Sequence, residues 1–384
     1  MNNDFNYSQG QDNRDPFTGK PQYDFYDELI VKDAKRATSR SMLGLTLYTV
    51  AAYALSYAII IGVMIVFNFV IGDTALYEKI VTSPYFNVLA GTLPAYIAGI
   101  PTLFLVIRKL PKRQMPLEKP KMSVPHLLMM IPIAQVAMVA GNYIGTFINN
   151  VYSIILGIEN HDTVAELIYS TPVWLLIVVT VIIAPIMEEL IFRKLLLDRL
   201  SVYGAKFAIL VTAVAFGLFH GNIDQFFYAM LVGIVLGYVA LKSGNWLYSV
   251  IVHMVMNFIG GIVPLFVTGS LERVFEWIEN MVEDPDAYAS IPTEMLGDYM
   301  VVMAYSGLMS ALVIGGIVLL VLGIRKKWFT LDERLSVRIP RGRVAGVVFG
   351  NVGSILFLVI SGILITLDLF MPLIEQVLEQ GVGV

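Results

Sequence analysis

Residues 171–200 read TPVWLLIVVTVIIAPIMEELIFRKLLLDRL, an apolar run broken in its interior by two adjacent carboxylates, Glu188 and Glu189. From Pro172 to Leu200 the run is long enough to cross a hydrocarbon core of ~30 Å, which takes about 20 helical residues. Glu188 and Glu189 lie about three turns before Leu200, where Asp198 and Arg199 mark the water interface. They therefore sit at depth. A carboxylate at the centre of a spanning helix costs roughly 2.5 to 3.5 kcal/mol on insertion scales, so each requires a compensating role.

The neighbouring sequence repeats the apolar pattern. Runs at 42–71, 85–107, 124–146, 206–220, 225–241, 246–268, 300–324 and 344–368 are expected to be further spans. With no barrel-like alternation, and with lipid offering backbone groups no other partner, they must be helices. The expected fold is all-α, a polytopic transmembrane helical bundle of about nine spans. Composition agrees: 57% of the 384 residues are hydrophobic and 15% charged, with a mean hydropathy of +0.72, against roughly 25% charged in a soluble domain. A net charge of -4 without a basic, aromatic-interleaved stripe excludes nucleic acid as a partner. The absence of cysteine excludes disulfides, thiolate metal sites and a cysteine nucleophile.

Five regions follow. Residues 1–41 form a polar tail, expected to be disordered, because Asn, Gln, Gly, Pro and Asp leave little apolar surface to offset ordering entropy. Residues 42–123 hold two helices and a basic loop, and 124–268 hold the core with the two glutamates. An acidic loop at 269–299 precedes two last helices at 300–384. Lys and Arg collect on the cytoplasmic side of membranes. One basic loop carries Arg108, Lys109, Lys112, Arg113, Lys119 and Lys121, and another carries Arg325, Lys326, Lys327, Arg334, Arg338, Arg341 and Arg343. Six spans separate them, so both face one side. The loop bearing Glu272, Glu276, Glu279, Glu283, Asp284, Asp286, Glu294 and Asp298 faces the other. Lys32, Lys35, Arg36 and Arg40 put the N-terminus in the cytoplasm and, with nine spans, the C-terminus outside. The expected location is the plasma membrane of a bacterium.

Helical geometry separates the two carboxylates. Glu189 and Arg193 are four residues apart on one face, with Glu first, as a helical ion pair prefers. Glu188 points about 100° away and is available as a general base. Pro185, one turn earlier, cannot donate its backbone hydrogen bond and is expected to free a carbonyl there.

The four histidines divide in the same way. His126 opens a span and His161 lies in an outer loop, both ordinary positions. His220 ends the apolar run AILVTAVAFGLFH one turn after Phe216, and His253 sits inside IVHMVMNF with Asn257 one turn later. His253 and Asn257 can aim donors at one point, as an oxyanion site requires. Taken singly, each has an ordinary explanation. An intramembrane His or Asn most often joins two helices, Glu189 with Arg193 makes a structural ion pair, Phe216 fills core, and Gly233 with Gly237 lets helices approach. Their concentration in three spans within some 70 residues reads as a site.

Three motifs carry a family resemblance: EELIFR at Glu188 to Arg193, FGLFH at Phe216 to His220, and HMVMN at His253 to Asn257. In order and spacing this set resembles the CAAX protease and bacteriocin-processing (CPBP, or Abi) family of intramembrane endopeptidases, over about residues 125–262. Its best known members, the type II CAAX prenyl endopeptidases, remove the last three residues of prenylated proteins. The resemblance implies that Glu188 and His220 activate a water and that His253 and Asn257 hold the oxyanion, with Glu189, Arg193 and Phe216 in support. It implies no cofactor, and as partners a membrane protein or peptide substrate, lipidated or not, within the bilayer. The flanking helices and the acidic loop are expected to select substrate. Two alternatives stay open: a zinc metalloprotease built on Glu188, His220 and His253, and a non-catalytic bacteriocin-immunity or scaffold protein. On straight spans His220 would lie near the outer face, away from Glu188, so the short fifth span is expected to start deep or tilt.

Overall fold

The computed structural model describes residues 25–113, 122–157, 168–283, 291–331 and 337–381. Among them there is no strand, and the elements are helices joined by short turns. Helix α1 is Phe25–Ile65, continuing through a wide π-helical turn at Val66–Ile71. The short α2 is Thr74–Val81. Then follow α3 (Pro84–Ile107), α4 (Val124–Leu156), α5 (Val173–Tyr203), α6 (Ala205–Phe219), α7 (Ile223–Ser243), α8 (Leu247–Val282) and α9 (Thr293–Arg325). The chain closes with α10 (Val344–Val348) and α11 (Val352–Gly381). Eight helices are long and apolar enough to cross a membrane, and the 15-residue α6 is the ninth apolar helix among the described residues.

Helix α7 lies at the centre, packed against α4 on one side and α6 on the other. Glycines allow that approach. A Cβ on Gly141 of α4 would collide with the backbone of Tyr228, and one on Gly233 would stand 3.2 Å from Ala213 Cα. Around this centre, α9 lies on α4, while α1 packs against α3 and α11.

The two basic loops converge at one end of the bundle. There the Arg113 backbone N–H donates to Asp198 O (2.8 Å), Arg199 Nε to Ile107 O (3.0 Å) and Lys242 Nζ to Thr330 O (2.8 Å). Val337 N–H donates to Val202 O (2.8 Å), and Arg343 pairs with Glu28 (2.7 Å).

Two boundaries differ from the expected ones. The tail expected to reach residue 41 ends earlier, because α1 is helical from Phe25. Its polar first turns still bury Val31, Ala34, Ala37, Thr38 and Ser41 on one face, and that stripe of small residues docks where apolar content alone is low. Residues 1–24 and His161 lie outside the described residues. The acidic loop is likewise shorter, since α8 continues through Val282. Val267 and Val274 keep a buried face two turns apart, so Glu272, Glu276 and Glu279 ride on the outer side of a helix.

Candidate active site

Around its carboxylates α5 is regular only over Ala184–Glu189, with π-helical stretches at Ile177–Ile183 and Leu190–Leu197 on either side. Such wide turns often accompany functional sites. Here they have a traceable effect. The Ala184 N–H bonds Val179 O, five residues back. The next donor in that register is Pro185, which has none, so Thr180 O loses its helical partner. Asn257 replaces it, donating Nδ2–H to Thr180 O at 2.8 Å. The second amide hydrogen of Asn257 has no partner among the described residues.

The carboxylates divide as their faces predict. Glu189 is fully buried, 3.0 Å from Arg193 Nε, while the side chain of Glu188 is 21% exposed and lines a cavity. Arg193 is itself buried, and its guanidinium carbon stands 5.1 Å from the ring centre of Phe216 and 6.0 Å from that of Phe192. The aromatic faces stand where polar partners are missing.

His253 joins the two carboxylates. Its Nδ1 lies 3.1 Å from Glu189 Oε1 and its Nε2 lies 3.6 Å from Glu188 Oε2. Because a carboxylate only accepts, Nδ1 carries a hydrogen and Nε2 faces Glu188.

His220 ends α6, and Gly221 with φ +72° lets the chain reverse into α7, whose first turn Asn222 caps by accepting the Gln225 N–H at 2.8 Å. The His220 Nδ1 is 2.7 Å from Phe216 O. A carbonyl only accepts, so Nδ1 is the donor and Nε2 the acceptor nitrogen. Phe216 stands edge-on to both imidazoles, with ring centres 4.9 Å from His220 and 5.7 Å from His253.

The depth of His220 follows from chain length. At ~1.5 Å per residue, Glu188 is about 18 Å before Leu200, and His220 is about 22 Å after Ala205 at the start of the returning helix. A helix as short as α6 ends beside Glu188, not at the far surface.

A cavity of about 540 Å³ is lined by Glu188, Phe216, His220, His253 and Asn257 together. Glu189 and Arg193 stand behind its wall. The sequence does not single out further polar residues of the lining, among them Asn87, Thr92 and Tyr96 from α3, and Gln225 and Tyr228 from α7. Neutral polar groups carry no large insertion penalty, so nothing in the sequence distinguishes them from ordinary helix contacts. The zinc alternative needs three converging ligands. Among the described residues no group of three or more His, Cys, Asp or Glu is placed to hold a metal ion.

Residues 170–259 match the family model described as Type II CAAX prenyl endopeptidase Rce1-like, a range that contains all seven motif residues discussed above. The chain is 24% identical over 164 residues to the "Putative membrane peptidase YdiL" of Bacillus subtilis (strain 168), covering 42% of this chain and 66% of that protein. It is 28% identical over 123 residues to the UPF0177 protein YxdF of Lactococcus lactis subsp. lactis (strain IL1403), covering 32% of this chain and 68% of that protein. The chain thus spans about two thirds of the length of each relative. No solved structure matches it. These matches agree with the CPBP resemblance, and the helices make the chain a multi-pass membrane protein.

Proposed function

We propose that this protein is an intramembrane endopeptidase that hydrolyses peptide bonds with a water activated by Glu188. The observation that carries the reading is the His253 imidazole set between a cavity-lining and a fully buried carboxylate, in the wall of a cavity shared with His220 and Asn257. The Rce1-like match over the same residues supports it.

In this mechanism Glu188 takes a proton from a water held with the acceptor Nε2 of His220, and the oxygen attacks the peptide carbonyl carbon. The oxyanion receives the free amide hydrogen of Asn257 and the Nε2 hydrogen of a protonated His253. As the C–N bond breaks, the proton held by Glu188 passes to the leaving nitrogen. Glu189 and Arg193 do not touch substrate. They fix the orientation of His253 through its Nδ1 hydrogen, as a carboxylate partner fixes a catalytic imidazole.

The test is purified protein in detergent mixed with a set of synthetic apolar peptides and analysed by mass spectrometry. Wild type is expected to yield new termini that Glu188→Gln does not. Identical product lists, or none, would favour the immunity or scaffold alternative.

A further inference from the structure

Along α1 three chemistries follow one another on a single face. At ~100° per residue Glu28, Lys32, Thr38 and Met42 all fall within about 60° of Lys35, so charge, hydroxyl and apolar side chain succeed each other turn by turn. Lys32 and Lys35 are exposed, and they line a cavity of about 380 Å³ whose other charged members among the described residues are Glu28 and Arg343. Arg343 is held by Glu28 at 2.7 Å, which leaves the charge of the two lysines unbalanced. Asp33 does not offset it, because it lies about 160° round the helix from Lys35.

Thr38 and Met42 line a second cavity of about 240 Å³, which Val214 and Leu218 of α6 and Phe357 of α11 complete. Val214 is 41% exposed, so this groove opens toward lipid. It runs along the side of α6 turned away from Phe216 and His220. Two atoms in its apolar wall are out of place. Thr38 Oγ1 and Ser354 Oγ are buried and have no hydrogen-bond partner. Other hydroxyls of the same helix turn to a carbonyl one turn back, as Thr46 does to Met42 O and Thr49 to Leu45 O, both at 3.1 Å. An unpaired buried hydroxyl is costly, and a ligand acceptor in the groove would relieve both. The groove is already shaped without one. Gly353 N–H donates to Ser39 Oγ at 3.1 Å, and a Cβ on Gly353 would collide with the Ser39 backbone, so α11 is seated directly on α1.

Cations, then hydroxyl donors, then an apolar groove are the complement of a glycerophospholipid, with its phosphate, ester carbonyls and acyl chain. Lys35 to Thr38 is a rise of about 4.5 Å, and Lys32 to Met42 about 15 Å, at ~1.5 Å per residue. A zwitterionic headgroup would bring its own cation against the two lysines. We infer that the two cavities are the ends of one site, which holds an anionic phospholipid of the bilayer. Its phosphate rests on Lys32 and Lys35, its ester carbonyls accept from Thr38 and Ser354, and its chain lies along α6. The lipid thereby braces the outer side of the helix that carries His220.

The test is the full chain in detergent, mixed with equal amounts of phosphatidylglycerol and phosphatidylcholine of the same acyl chains. Native mass spectrometry then identifies the lipid lost last as collision energy rises. Wild type is expected to retain phosphatidylglycerol over phosphatidylcholine by about tenfold or more, with two lysines each acting as a surface cation. Glycerol phosphate, a headgroup without chains, should not displace it. Lys32→Gln with Lys35→Gln should bring the ratio close to one. Thr38→Val with Ser354→Ala keeps the shape of the wall, and should weaken retention of both lipids at an unchanged ratio. Val214→Trp, which fills the groove from its open side, serves if that pair fails to fold and should expel both. Equal retention of the two lipids by wild type, or a preference that survives loss of the two lysines, overturns the inference. Displacement by glycerol phosphate, or retention untouched by the groove variants, overturns it as well.

Discussion

Asn257 donates its side-chain amide to the carbonyl of Thr180, 77 residues away in sequence, at 2.8 Å. That carbonyl lacks a helical donor because Pro185 has no hydrogen to give it, so the bond ties Asn257 on α8 to the helix that carries Glu188. Removing Asn257 orphans the carbonyl, at about 1 to 3 kcal/mol. Asn257→Ala is expected to lower both thermal stability and turnover. Added to Pro185→Ala, which restores a backbone donor for Thr180, it should cost less stability while turnover stays low. Equal stability losses in both backgrounds, measured by thermal melting in detergent, would refute the link.

Glu189 and Arg193 face each other at 3.0 Å with both side chains fully buried, so losing either one strands the other. Glu189→Gln and Arg193→Ala should each destabilise by about 3 to 5 kcal/mol. The double variant Glu189→Gln with Arg193→Met removes both charges and should recover much of that loss. Activity should not return, because a neutral amide in place of the Glu189 carboxylate would hold the Nδ1 hydrogen of His253 less firmly. A double variant as unstable as the sum of the singles would show that the two residues are not coupled.

Orientation rests on the basic loops gathered at one end of the bundle. Since the chain has no cysteine, single ones report cleanly. Lys109→Cys should be shielded from an impermeant thiol reagent in intact bacterial cells, and Thr293→Cys should be labelled. The reverse pattern would invert the assigned topology.

If Glu188 alone activates the water, turnover is expected to survive prolonged treatment with a membrane-permeant chelator. Zinc near one equivalent, lost together with activity and restored with it, would replace the Glu188 mechanism by a metal-assisted one.

Much of this site is visible in the sequence, because intramembrane charge is costly and therefore conspicuous. Glu188 and Glu189 stand out of an apolar run, and a spacing of four pairs Glu189 with Arg193. Three relationships are not visible. The bridge from His253 to both glutamates joins α8 to α5 across 64 residues of sequence, and only packing creates it. The freed carbonyl at Pro185 was expected, but its identity as Thr180 depends on a π-helical register that composition does not encode. The α3 wall of Asn87, Thr92 and Tyr96 carries no charge to flag it. The early start of α1 at Phe25 escapes for a related reason, since Ala34, Ala37, Thr38 and Ser41 dock through smallness, not hydropathy.

The assignment of Glu188 as base is tested most directly by the turnover of Glu188→Gln, on a peptide that wild type cleaves, in preparations with matched thermal midpoints. The amide keeps the shape of the side chain and cannot take the water's proton, so kcat should fall by roughly 2 to 4 decades while the melting temperature holds. Turnover at the wild-type rate would contradict the account.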